Sequence, residues 1–212
     1  MEINMKKSVW TADTTLPQFD KLTGEKKTEV LIIGGGLCGI LCAYLLQNAG
    51  IDYILAEGSR IASGTTKNTT GKITSQHGLI YDKLIRSFGK EKAQMYLNAN
   101  QDAIREYEIL CKNINCDFEK KSAYTYSLKD REKLEKEVEA VNSLGFKAEF
   151  TENTELPFKT CGAVCFKDQA QFNPLKFIAE LSKNLNIYEN TFIRDITPDN
   201  AVSDDGKITA KK

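Results

Sequence analysis

Apolar positions change their spacing several times along the chain, and each change predicts an element. Val30 to Ile33 is a continuous apolar, largely β-branched run, the composition of a strand buried on both faces. Three glycines, Gly34 to Gly36, end it. Leu37, Ile40, Leu41, Tyr44 and Leu45 then recur at three- and four-residue spacing, which predicts a helix closed by Gly50. Tyr53 to Ala56 reads as a second apolar strand, ending at Glu57. Farther on, Leu84, Ile85 and Phe88 predict a short helix ended at Gly89. Ala93, Tyr96, Leu97, Asn100, Ile104, Tyr107 and Cys111 form the inward stripe of a longer one over 90–112. Ser122 to Leu128 alternates as a half-buried strand should. A charged helix over 129–144, with Leu134, Val138 and Val141 as its apolar side, precedes short strands over 146–150 and 161–166. Asn173 and Pro174 read as N-cap and first turn of a helix reaching about Leu185, with strands over 186–189 and 191–196 behind it. Asp204-Asp205-Gly206 reads as a hairpin turn opening a strand, Ile208 to Ala210, with no continuation. Residues 1–27 are polar and irregular, and are expected to lie as an arm on the surface.

The first strand, helix and second strand make a βαβ unit of about thirty residues, the scale on which a G-x-G-x-x-G fingerprint gains meaning. Gly34 permits the tight strand-to-helix turn, Gly36 leaves room for a pyrophosphate against the backbone, and Gly39 lets the helix pack closely on the strand. The free N–H groups and positive dipole end of the helix face the phosphates. Glu57, at the tip of the second strand, is placed to accept bonds from ribose hydroxyls, and its charge argues against a 2′-phosphate and hence NADP. A long polar stretch follows, Ser63-Gly64-Thr65-Thr66-Lys67-Asn68-Thr69-Thr70-Gly71-Lys72. A nicotinamide dehydrogenase would enter another helix here, so the hydroxyl- and glycine-rich loop favours a larger cofactor over NAD.

These stretches, IIGGGLCGILCAYLL, then ILAEGSRIASGTTKNTTGKITSQHGLIYDKL and later DQAQFNPLKF, resemble the FAD-dependent oxidoreductases of the D-amino-acid oxidase superfamily, which includes glycine and sarcosine oxidases. More narrowly, the chain is similar to the bacterial branch that carries a Rieske iron–sulfur domain after the flavin part. The resemblance implies an α/β fold: a Rossmann-like, glutathione-reductase-like FAD-binding domain with an inserted, incomplete α+β substrate-binding sheet. The expected organisation is an arm over 1–27, the first FAD-binding part over 28–114, a substrate-domain segment over 115–168, a return to the FAD domain over 169–200, and the start of a truncated segment over 201–212. Superfamily members need roughly as much chain again, so the sequence is expected to be an N-terminal fragment. As cofactor-binding residues the resemblance implies Gly34, Gly36, Leu37, Cys38, Gly39, Glu57, Gly58, Thr65 and Thr66. Thr70, Gly71 and Lys72 would lie at the isoalloxazine, and Ile193 at the adenine. Lys72 is either a cation beside the flavin or a surface lysine, and His77 either a covalent flavin link or a capping residue. The implied reaction is oxidation of an amine or amino acid at its C–N bond by hydride transfer to flavin N5, with electrons passed to the iron–sulfur domain. The other reading is a non-catalytic dinucleotide-binding fragment. No catalytic residue is nominated.

Composition narrows the partners. Twenty-nine basic and 29 acidic side chains in 212 residues cancel, which gives no sign of nucleic acid or an anionic membrane as partner. No apolar run approaches the ~20 residues that span a bilayer, nothing at the N-terminus reads as a signal peptide, and the cytoplasm is the expected compartment. The six cysteines suit that compartment. Cys38 and Cys42, one turn apart in the first helix, read as packing residues; Cys111 and Cys116 resemble the spacing of flavin disulfide reductases but sit too late in the chain for that role. His77 is the only histidine, so a Rieske centre, which needs two, cannot be built from this chain, and no metal site is expected.

Overall fold

The computed structural model describes residues 8–212, and these divide into two units. The first comprises the described residues up to Thr70, Ile114–Cys116 and Asn173–Lys212; the second comprises Gly71–Asn113 and Asp117–Phe172.

In the first unit, β1 (Gly24–Thr28) is followed by β2 (Val30–Ile33), α1 (Leu37–Asn48) and β3 (Tyr53–Ala56). After the second unit the chain continues through α4 (Pro174–Leu181), β8 (Ile187–Tyr188), β9 (Ile193–Ile196), β10 (Asn200–Ser203) and β11 (Gly206–Ala210). β2, β3 and β8 form an all-parallel sheet in that order, with Val30 opposite Tyr53 and Leu55 opposite Ile187. Every side chain of β3 is buried, as a central parallel strand requires. α1 ends at Ala49, with Gly50 in the left-handed region at φ 68°, and α4 begins with Asn173 Oδ1 accepting from the N–H groups of Leu175 and Lys176. Both termini follow the pattern read from sequence.

Two strands depart from it. β1 was expected to be irregular, because GEKKT has no apolar alternation; it nevertheless pairs in parallel with β11, Gly24 opposite Gly206 and Thr28 opposite Ala210. β11 accordingly has partners on both edges, β1 and the antiparallel β10, and the four-stranded sheet runs β1-β11-β10-β9. Leu22, Ile54, Ala56 and Ile208 bury together between this sheet and the parallel one. Trp10 in the arm donates its indole N–H to the Thr69 carbonyl at 2.7 Å.

The second unit holds β4 (Lys72–Ile73), α2 (Tyr81–Cys111), β5 (Glu119–Ser127), α3 (Arg131–Ser143), β6 (Ala148–Thr151) and β7 (Gly162–Gln171). α2 is two helical runs joined at Gly89, whose φ of 82° breaks the helix where the sequence predicted a stop. Within its expected stripe, Tyr96 lies at the edge rather than inside, and its hydroxyl sits 2.8 Å from His77 Nδ1. β7 is the centre of an antiparallel sheet, with β5 on one edge and β6 and β4 on the other. It runs past the predicted 161–166 because Gln169, Ala170 and Gln171 go on pairing with Lys121, Lys120 and Glu119. Between the two stretches lies an extra residue, since Ala123 faces Phe166, and Asp168 takes up the difference at φ 56°. One face of the sheet, through Ala148, Val164 and Phe166, packs on Tyr81, Ala93, Leu97, Leu134 and Val141 of α2 and α3. Glu137 of α3, 2% exposed, accepts from the N–H groups of Ile80, Tyr81 and Asp82 and so caps α2 with a buried charge.

Candidate functional site

The site read from sequence lies where β2 gives way to α1. Gly34 stands at φ 109°, a region L side chains rarely enter, and its N–H donates to the Ala56 carbonyl at 2.9 Å. A Cβ on Gly39 would collide with the Gly34 carbonyl oxygen, so this position sets the approach of helix to strand. Gly36 is different. A Cβ there would meet only Thr66 Oγ1, at 3.4 Å, and the space before it is otherwise open. The first turn of α1 presents backbone N–H groups that have no partner within the helix, and Thr66 Oγ1 accepts from that of Leu37 at 3.1 Å. Thr65 and Thr66 sit on a short 3-10 turn, Thr65–Asn68. The result is a helix end that presents backbone amides and a hydroxyl beside open space at Gly36, an arrangement suited to an anion.

Glu57 closes the other side. Its Oε2 accepts from the Gly35 N–H at 2.6 Å and its Oε1 from that of Ser59 at 2.8 Å. The carboxylate therefore holds the glycine turn as well as facing outward, partly exposed, from the tip of β3. Gly35 was given no role by its place in the motif. A Cβ there would lie 2.9 Å from Ile61 Cγ2 and 3.1 Å from Glu57 Cβ, so this glycine seats both residues. The run of three glycines was the available signal.

Residues 57–61 are fixed from below by a second carboxylate that the sequence reading missed. Glu189, fully buried, accepts from the N–H groups of Ile61 at 2.7 Å and Phe19 at 3.2 Å, and pairs with Arg60 Nε at 2.9 Å. Arg60 also donates to the Pro17 carbonyl. Nothing in the local pattern around Glu189 distinguishes it from a strand-end acid at the surface. Gly58 lies against Phe192, whose ring carries the Arg194 guanidinium at 4.6 Å. Thr191 N–H donates to the Glu57 carbonyl at 2.8 Å, which brings β9 and Ile193 alongside the tip of β3.

Of the remaining predicted residues, Cys38 is exposed, as is Cys42, which corrects their reading as packing residues. α1 buries Ile40 and Ala43, and the two cysteines, one turn apart, fall on its other face. Thr70 is exposed at the close of the first unit. Gly71 and Lys72 belong to the second unit. There the Gly71 carbonyl accepts from Phe172 N–H and Lys72 pairs with Gln171, leaving its side chain exposed. His77 is also exposed and in the second unit.

The chain matches the family described as FAD dependent oxidoreductase over residues 29–211, and it belongs to that family. FAD is the cofactor of the family, and the open Gly36, the amide-lined helix end and Glu57 fit its ADP half. The chain is 36% identical over 196 residues to YhfW of Bacillus subtilis (strain 168), whose name describes it as a Rieske 2Fe-2S iron-sulfur protein; the match covers 88% of this chain and 38% of that one. It is 30% identical over 103 residues to the gamma-glutamylputrescine oxidoreductase of Escherichia coli (strain K12), covering 47% and 24%. The chain thus spans less than half the length of these relatives. The L-proline dehydrogenase of P. horikoshii shares the fold, with a TM-score of 0.71 at 16% identity over 88% of this chain and 52% of that one. Among the described residues no helix is long and apolar enough to cross a membrane.

Proposed function

We propose that this chain is the cofactor-binding part of an FAD-dependent enzyme that oxidises an amine or amino acid at its C–N bond. When bound, FAD supplies the two-electron acceptor for that oxidation. In this reading Gly34, Gly36, Leu37, Cys38 and Gly39 receive the pyrophosphate, with Thr65 and Thr66 beside it. Glu57 and Gly58 hold the ribose, and Ile193 lies at the adenine. Thr70, Gly71 and Lys72 are assigned to the ring end on the resemblance alone, as is the division into an FAD-binding domain and a substrate-domain segment. Electron transfer to a Rieske domain is supported by the name of the B. subtilis relative. An amine substrate is supported by the name of the E. coli one. A cytoplasmic location is supported by six free cysteines.

The observation that carries the reading is the contrast among the motif's glycines. Gly34 and Gly39 are required by the backbone itself, whereas Gly36 is bordered by open space and only one hydroxyl. Nothing within the protein demands a glycine there, and a ligand does. The test is Gly36→Val, with flavin content and thermal unfolding measured on one sample. The expected result is loss of FAD with helix and strand content retained. A variant that keeps its flavin but melts early would overturn the cradle, and a parent protein that purifies with FMN or NAD would overturn the cofactor.

A further inference from the structure

The family match begins at residue 29, so the arm ahead of β1 lies outside it. The described part of that arm, 8–22, is nevertheless tied to both ends of the loop that runs from Glu57 to Thr69. At the far end the Trp10 indole N–H donates to the Thr69 carbonyl at 2.7 Å. The arm's own 3-10 turn, Val9–Thr11, packs there on α4 and on the Thr65–Asn68 turn. Thr69 closes that second turn, its N–H donating to the Thr66 carbonyl at 3.3 Å. Thr66 carries the hydroxyl that accepts from Leu37 and borders Gly36. Trp10 therefore holds, at one remove, the side chain that faces the open glycine.

At the near end, arm and loop share Glu189. Its buried carboxylate accepts from Phe19 in the arm and from Ile61 in the loop, and it pairs with Arg60, which donates to the Pro17 carbonyl. The Glu189 N–H donates back to the Asp20 carbonyl at 3.1 Å, and the Leu22 N–H reaches Thr191 Oγ1 at 3.0 Å. Beside Ile61, the Ala62 N–H donates to the Gly35 carbonyl at 2.8 Å, so the loop fixed from below is the one that grips the glycine turn. A buried carboxylate stripped of such partners is costly, and this holds arm and loop in one arrangement. The arm does little else for the core: Leu22 is the one buried residue of 8–22. Hydrogen bonds spaced along a mostly exposed segment and converging on one loop fix position more than they bury area.

We propose that the arm is a strap that positions the cofactor loop, with Trp10 and Glu189 as positioning residues for the ADP half of FAD. This rests on the cofactor reading given above. Binding and strapping are reciprocal: an arm that favours the ligand is itself held down by the ligand. Trp10 is the only tryptophan of the 212-residue chain, so its emission reports on the arm alone. The test uses that chain with ADP, which carries the pyrophosphate and ribose but no flavin to quench the indole. Calorimetry gives the affinity, circular dichroism melting the fold, and acrylamide quenching the exposure of Trp10. Bound ADP should protect Trp10 from acrylamide. Trp10→Phe keeps a ring and loses the N–H; it should weaken ADP about fivefold with the melting temperature unchanged. Glu189→Gln should weaken it at least as much. Where that variant fails to fold, Arg60→Lys reads the same end, since one ammonium cannot reproduce both guanidinium contacts. Lys21→Ala breaks only the arm's exposed pair with Asp205 and should change neither affinity nor quenching. Folded Trp10→Phe and Arg60→Lys variants that bind ADP as the parent does would overturn the strap, as would quenching that ADP leaves unmoved. Affinity lost only in step with the melting temperature would also overturn it, because that marks a merely structural part. A parent chain that ignores ADP rejects the cofactor reading and the strap with it; a parent that binds ADP while its variants are indifferent rejects the strap alone.

Discussion

The two units stabilise a turn of backbone in the same way but build their surfaces from opposite materials. Each buries one glutamate that gathers main-chain N–H groups: Glu189 takes those of Phe19 and Ile61 in the first unit, and Glu137 those of Ile80, Tyr81 and Asp82 in the second. Glu189 has the Arg60 guanidinium as counter-charge, whereas Glu137 rests on the positive end of a helix. Above these anchors the first unit forms its candidate site from peptide groups and missing side chains, Gly34, Gly36 and Gly39. The second lines a surface cleft with side chains, Tyr124, Tyr126 and lysines. A site made of backbone tolerates almost no substitution in its own path; a surface made of side chains is adjustable residue by residue.

Substitutions at four positions test that contrast, in falling order of effect. Gly39→Val forces a Cβ into the Gly34 carbonyl and should cost more than about 3 kcal/mol, enough to abolish the folded first unit in circular dichroism and thermal unfolding. A mild shift would mean the helix can move away from the strand. Glu137→Ala leaves three buried or half-buried N–H groups without their charged acceptor and should destabilise by about 3 kcal/mol, seen as a lower denaturation midpoint. Glu137→Gln should recover part of that loss; if it recovers none, the charge and not the shape is what α2 requires. Glu57→Gln acts on ligand more than on fold. One of the two N–H groups it holds would face an amide donor, costing about 1 kcal/mol, while FAD affinity in dialysis should fall about tenfold to a hundredfold. Unchanged affinity in the folded variant would place the ribose elsewhere. Arg194→Lys removes one of two bonds to Asp204 in a solvent-exposed pair and should leave the unfolding temperature where it was.

The same contrast explains what the sequence disclosed. Glycine spacing followed by an acid announces the β2–α1–β3 turn because few other residues satisfy that geometry, and Asn173-Pro174 announces α4 for a similar reason. The cleft was not legible. It depends on Tyr124 and Tyr126 standing opposite Cys165 and Ala163, a register that the extra residue at Asp168 helps to set and no local pattern reveals. Cys38 and Cys42 misled because small apolar residues suit either face of a helix, and only the packing of Ile40 and Ala43 decides which. β1 was invisible because its five residues, four of them exposed, pair through backbone alone.

That last pairing bears on how the chain reaches its native state. β1 and β11 join in parallel across nearly the whole sequence, so their contact carries one of the largest loop-closure costs in the molecule. On the ribosome β1 emerges well before β11, the strand it pairs with. During that interval it is an unpaired strand edge, the kind of segment that recruits other chains. Glu25, Lys26 and Lys27 make it a poor template for such pairing, since stacked copies would bring like charges together. Replacing the two lysines with threonine should leave the finished sheet intact and lower the yield of soluble protein.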